Sequence, residues 1–103
     1  MSTIQASEIA EVFRQALRGE IEVKVEGDEA WDEVYCGDVE FLFGNWRVAV
    51  FNDCSEFDYV SHATAPDGRT VDFDDWGLDE DPVAMLTMEE LAAMEFLVEG
   101  LTV

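Results

Sequence analysis

Apolar and polar residues alternate along this chain with two different periods, and the change of period marks its elements. Ile9, Val12, Phe13, Ala16 and Leu17 recur at helical spacing after Ser7, a natural N-cap, and Gly19 is a natural stop. These positions predict a helix over about 8–18. Residues 20–26 switch to strict alternation, with Ile21, Val23 and Val25 against Glu20, Glu22, Lys24 and Glu26, which predicts a half-buried strand. Residues 29–34 have room for one helical turn carrying Trp31 and Val34.

The strongest local signal is a hairpin over 38–52 turning at Gly44-Asn45, where a leading glycine suits a type II′ turn. That register sets Phe43 opposite Trp46, Phe41 opposite Val48 and Val39 opposite Val50, all on one face. Leu42, Arg47, Glu40, Ala49, Asp38 and Phe51 take the other. Continued pairing puts Cys36 and Cys54 on opposite faces, which disfavours a disulfide between them. Residues 57–64 read as a further strand and Ala65-Pro66-Asp67-Gly68 as a turn. The chain returns over Thr70 to Phe73, with Val71 and Phe73 on the core side. Residues 75–86 read as an acidic loop. Thr87 and Glu90 form a capping box for a last helix, with Leu86 and Leu91 as its staple. Met88, Leu91, Ala92, Met94, Leu97 and Val98 form its apolar stripe, and Gly100 ends it. The expected fold is a single α+β domain over 1–103: an antiparallel meander of four to five strands with the N-terminal and C-terminal helices on one face.

Charge adds what the pattern alone lacks. The 103 residues hold 25 acids against five Lys and Arg, a formal charge of −20, yet 49% of them are hydrophobic. That apolar content argues against global disorder. The charge is also localised. Residues 1–26 carry five acids against Arg14, Arg18 and Lys24, whereas residues 27–103 carry twenty against Arg47 and Arg69. Direct binding to nucleic acid or an anionic membrane is disfavoured, because both need Lys and Arg. With no signal peptide and no apolar run of spanning length in view, a cytoplasmic protein with reduced cysteines is expected.

Candidate chemistry is sparse. His62 is the single histidine, and a pairing with Cys54 or Ser61 would lack an oxyanion hole and an orienting acid. Asp72, Asp74 and Gly77 match positions 1, 3 and 6 of a calcium loop. Trp76 and Val83 then fall at positions 5 and 12, where oxygen ligands are required. A weak divalent site among Asp72, Asp74, Asp79 and Asp81 stays open, as does a carboxylate-based, metal-dependent enzyme. Two cysteines and one histidine make no zinc set. No catalytic residue, metal ligand or cofactor is assigned.

The acids themselves are the better candidate. Asp72, Asp74, Asp75, Asp79, Glu80 and Asp81 crowd around Trp76, and Asp53, Glu56 and Asp58 form a second cluster. Carboxylates interleaved with rings suit a surface that binds an Arg- and Lys-rich protein. In the first cluster Trp76 is the expected anchor and the acids supply steering. The bland alternative is a charge carried only for solubility, although −20 exceeds the magnitude of roughly 2–8 that serves a small domain. Oligomeric state is open, and a homodimer is compatible with Leu42 and Phe51 on the second sheet face.

The segment Phe51-Asn52-Asp53-Cys54-Ser55-Glu56-Phe57-Asp58-Tyr59-Val60, followed by Ala65-Pro66-Asp67-Gly68-Arg69, resembles a family of small, uncharacterised bacterial proteins common in pseudomonads. The resemblance covers most of the chain and implies no activity. In size and charge, though not in motif, the chain is similar to acidic immunity proteins and to DNA-mimic inhibitors encoded by phage. The expected function is therefore a non-catalytic inhibitor covering a basic nucleic-acid-binding surface on a partner. It would be an immunity protein against a nuclease toxin or an anti-defence DNA mimic.

Overall fold

The computed structural model describes residues 4–27, 29–54, 56–76 and 81–101. Helix α1 spans Ala6–Leu17, followed by strand β1 (Val23–Val25), a 3-10 turn (Trp31–Glu33) and strands β2 (Cys36–Phe43), β3 (Trp46–Asp53), β4 (Glu56–Thr64) and β5 (Thr70–Asp72). A short helix α2 (Phe73–Trp76), a second 3-10 turn (Pro82–Met85) and helix α3 (Met88–Glu99) complete the order. The strands form one antiparallel sheet in sequence order, β1-β2-β3-β4-β5. This is the expected α+β meander with terminal helices.

Helix α1 begins two residues earlier than its Ser7 signal predicts. Gln5 is the N-cap, and the Glu8 carboxylate accepts the Gln5 N–H at 2.8 Å. Ile4 and Ile9, the flanking positions of a hydrophobic staple, are both fully buried, so tertiary burial sets the start of the helix. Of the predicted strand 20–26, Val23–Val25 form the strand at the sheet edge beside β2, and the Glu22 carbonyl and Glu26 N–H extend its bonding to Gly44 and Glu40.

The β2–β3 hairpin has the predicted register, including Phe41 opposite Val48 and Phe43 opposite Trp46. Gly44 takes φ +60° at the first turn position, as a type II′ turn requires. Phe13 of α1 meets Phe43 and Phe57 edge-on at 5.2 and 5.4 Å, and Trp31 closes the core over Phe41 and Phe57. Buried Asn52 donates from Nδ2 to the carbonyls of Trp31 and Val34, which holds the 3-10 turn against β3. Cys36 lies opposite Asp53 rather than Cys54, and both thiols are free and exposed.

Three expectations at the C-terminal half are corrected. Phe73 does not continue β5 on the core side. The Asp75 carboxylate accepts the Asp72 N–H at 2.9 Å, which ends the strand and opens α2, and the Phe73 ring turns to Tyr59. The expected acidic loop starts inside α2 and holds the Pro82–Met85 turn. On α3, Met94 and Val98 are buried and Leu91 and Leu97 half-buried, whereas Met88 and Ala92 face solvent. Two glutamates set this rotation: Glu90 pairs with Arg14 of α1 and Glu95 accepts the Phe57 N–H.

Candidate functional site

Strand β4 decides what the open side of the sheet presents. Its buried residues are Phe57, Val60 and Ala63, spaced by three rather than two. The pairing with β3 shifts twice, between Ala49 and Val50 and between Phe51 and Asn52. Each bulge adds one residue to β4 and sends a pair of side chains outward. The pairs are Asp58 with Tyr59 and Ser61 with His62, and none of the four is buried.

The outer face therefore has an aromatic floor. Phe51 and Tyr59 stack at 5.0 Å with planes 11° apart, and Tyr59 meets Phe73 at 4.5 Å. Carboxylates rim it. Asp38 accepts a hydrogen bond from Ser61 Oγ, and Glu40 lies 3.3 Å from His62 Nε2. Asp72 is the register partner of His62 on the other side. Burial first, then the charge of Asp53, pushes the Asp58 carboxyl above its ordinary range. The Tyr59 hydroxyl is raised by burial and then by the negative field of Asp38 and Asp58. The acids thus converge on the ring row. Two open depressions flank the Glu40–His62 pair, one of about 170 Å³ against Arg47 and Thr64 and one of about 260 Å³ against Glu29 and Val34.

Each Lys or Arg side chain pairs with an acid away from the ring row, Arg47 doing so from the outer face itself. Arg14 pairs with Glu90, Arg18 with Glu11 and Glu20, Lys24 with Glu22, Arg47 with Glu26, and Arg69 with Glu8 and Asp67. Among the described residues, no Lys or Arg pairs with Asp38, Glu40, Asp53, Glu56, Asp58, Asp72, Asp74 or Asp75.

The two predicted acidic clusters fare differently. Glu56 and Asp58 are exposed and Asp53 half-buried at the β3–β4 end, and Asp72, Asp74 and Asp75 are exposed at the β5–α2 junction. The Tyr59–Phe73 contact joins the two groups. Asp79 and Glu80 lie outside the described residues. Asp81 is 1% exposed and is a structural cap: its carboxylate accepts the N–H groups of Val60 at 3.0 Å and Val83 at 2.9 Å. A side chain so enclosed has no oxygen to offer a partner. Trp76 is not a free anchor, because it is half-buried against the core and its indole N–H donates to the Ile4 carbonyl at 3.3 Å.

The candidate nucleophiles are dispersed. Among the described residues no group of three or more His, Cys, Asp and Glu is placed to hold a metal ion. Ser61 is turned to Asp38, His62 to Glu40 and Cys54 to Tyr35, so neither Cys54 nor Ser61 has His62 as its hydrogen-bond partner. The sequence pattern sets Tyr59 and Phe73 among the acids but places Phe73 on the core side, and it gives Asp38, Glu40 and His62 no part in the site. The usable signal was the three-residue spacing of Phe57, Val60 and Ala63, which marks bulges.

Residues 3–100 match the model of a domain of unknown function, DUF7693. The chain belongs to that family. No curated protein and no solved structure matches it. Among the described residues, no helix is long and apolar enough to cross a membrane.

Proposed function

We propose that this DUF7693 domain is a non-catalytic inhibitor protein. Its outer sheet face would cover the basic, nucleic-acid-binding surface of a partner protein in the cytoplasm. The observation that carries this reading is the partition of charge. Five Lys and Arg side chains are spent on acids away from the ring row, while the carboxylates around Phe51, Tyr59 and Phe73 have no Lys or Arg partner among the described residues, and Glu40 meets only His62. Acids carried only for solubility would have no reason to gather around rings. Here the carboxylates steer a cationic surface in, and the rings offer flat area on which guanidinium groups stack. An immunity protein against a nuclease toxin and a phage-encoded anti-defence DNA mimic share this physics.

The test is affinity capture from a bacterial host lysate with the wild-type chain and with an Asp53→Asn/Asp58→Asn/Asp72→Asn variant. A partner that elutes with salt, is displaced by added duplex DNA and is lost with the variant supports the proposal. Capture indifferent to both salt and duplex DNA refutes it.

A further inference from the structure

Helix α3 is apolar on both sides. Its inner side packs Met94, Val98, Leu91 and Leu97 against the core. Its outer side presents Met88, 89% exposed, Phe96, 81% exposed, and Ala92 and Ala93. A helix at the surface of a soluble domain normally turns polar residues outward. Neither Met88 nor Phe96 belongs to the core cluster, so the outer stripe contributes nothing to this chain's own packing. Large apolar side chains placed together in water mark a contact surface.

Charge selects the occupant. The sequence of α3 has no Lys or Arg and four glutamates. Glu90 is paired with Arg14 and Glu95 with the Phe57 N–H. Glu89 and Glu99 remain, exposed on the outer side at its two ends, and neither has an ion-pair partner among the described residues. A rise of about 1.5 Å per residue puts them roughly 15 Å apart along the axis. We infer that the outer side of α3 docks an amphipathic helix of a partner protein. That helix carries an apolar stripe bounded at both ends by Lys or Arg. A second copy of this chain is the poorer occupant. A two-fold pair of α3 helices sets glutamate against glutamate in either direction, on top of the repulsion between two chains of −20. This surface is separate from the outer sheet face, since α3 packs on the opposite side of the sheet.

The probe is a synthetic helical peptide with a leucine stripe and a lysine at each end, ten positions apart, titrated into the isotope-labelled full chain. A control peptide carries glutamate in place of the lysines. Shifts at the Met88 and Ala92 methyls and the Phe96 ring are expected, with affinity about tenfold weaker at high salt. Phe96→Ser, outside the core, should leave the thermal melt unchanged and weaken binding about tenfold or more. Four results would each overturn the inference. They are shifts confined to Tyr59 and His62, indifference to Phe96→Ser, equal binding of the control peptide, and self-association through Met88 and Phe96 that strengthens with salt. The Asp53/Asp58/Asp72 variant keeps the α3 surface intact, so failure here is distinguishable from failure of the sheet-face reading.

Discussion

The Asp81 carboxylate accepts the backbone N–H of Val60 at 3.0 Å, from a side chain that is 1% exposed. One acid thereby caps the Pro82–Met85 turn and fastens it to the middle of β4. Removing it by Asp81→Ala strands the N–H groups of Val60 and Val83, and we expect a loss of about 2–3 kcal/mol. Asp81→Asn keeps an acceptor and should cost less. Chemical denaturation of the three chains checks the order.

The same residue sets a pH dependence. Burial outweighs the two N–H bonds and raises the Asp81 carboxyl to about 6, above its ordinary 3.8. The folded state therefore binds this proton more tightly than the unfolded chain does. Stability should rise as pH falls through about 6 towards 4. Below that range Glu8, Glu90 and Asp67, whose carboxyls hydrogen bonds and arginine partners hold low, become protonated and stability should fall. Melting temperature against pH should show the rise in the wild type, and Asp81→Asn should reduce it to the smaller share that Asp58 contributes.

On the sheet face, Asp58 is raised by burial and by Asp53. Asp53→Asn should bring its carboxyl part of the way down, leaving the share due to burial. NMR titration of Asp58 reads this directly. Added salt should raise the melting temperature of the wild type, because it screens the unpaired acids, and should do so less in an Asp53→Asn/Asp58→Asn variant.

Arg69 bridges Glu8 of α1 and Asp67 of the β4–β5 turn, whereas Lys24 meets Glu22 at 3.6 Å in full view of solvent. Arg69→Met should lower stability measurably, and Lys24→Met should be close to neutral. Denaturant midpoints compare the two.

Cys54 holds φ +51° in the β3–β4 turn, a conformation that glycine adopts without strain. Cys54→Gly should stabilise the chain by about 0.5–1 kcal/mol. Both cysteines of the wild type should react with a thiol reagent without prior reduction, since both are free and exposed.

How far the sequence could be read varied from element to element. The β2–β3 register follows from Gly44-Asn45 and strict alternation, because a side-chain period of two leaves one buried face. The Thr87–Glu90 capping box likewise depends on residues three apart. The rotation of α3 was not legible. Its apolar residues surround the axis, and only Arg14 and the Phe57 N–H, both distant in sequence, select which side turns in. The candidate site was legible as a composition of acids and rings but not as an arrangement.

The sequence by itself determined the α+β meander, the hairpin register and the concentration of acid after residue 27. These rest on local periodicity, turn chemistry and charge counting, which need no distant contact. Tertiary structure alone decided which acids stand on the open sheet face. The bulges in β4 turn Asp58 and Tyr59 outward, and the meeting of Val60 with Asp81 takes that carboxylate out of the surface. Both depend on where strands lie against each other, and a carboxylate reads the same in sequence whether it steers a partner or caps a buried turn.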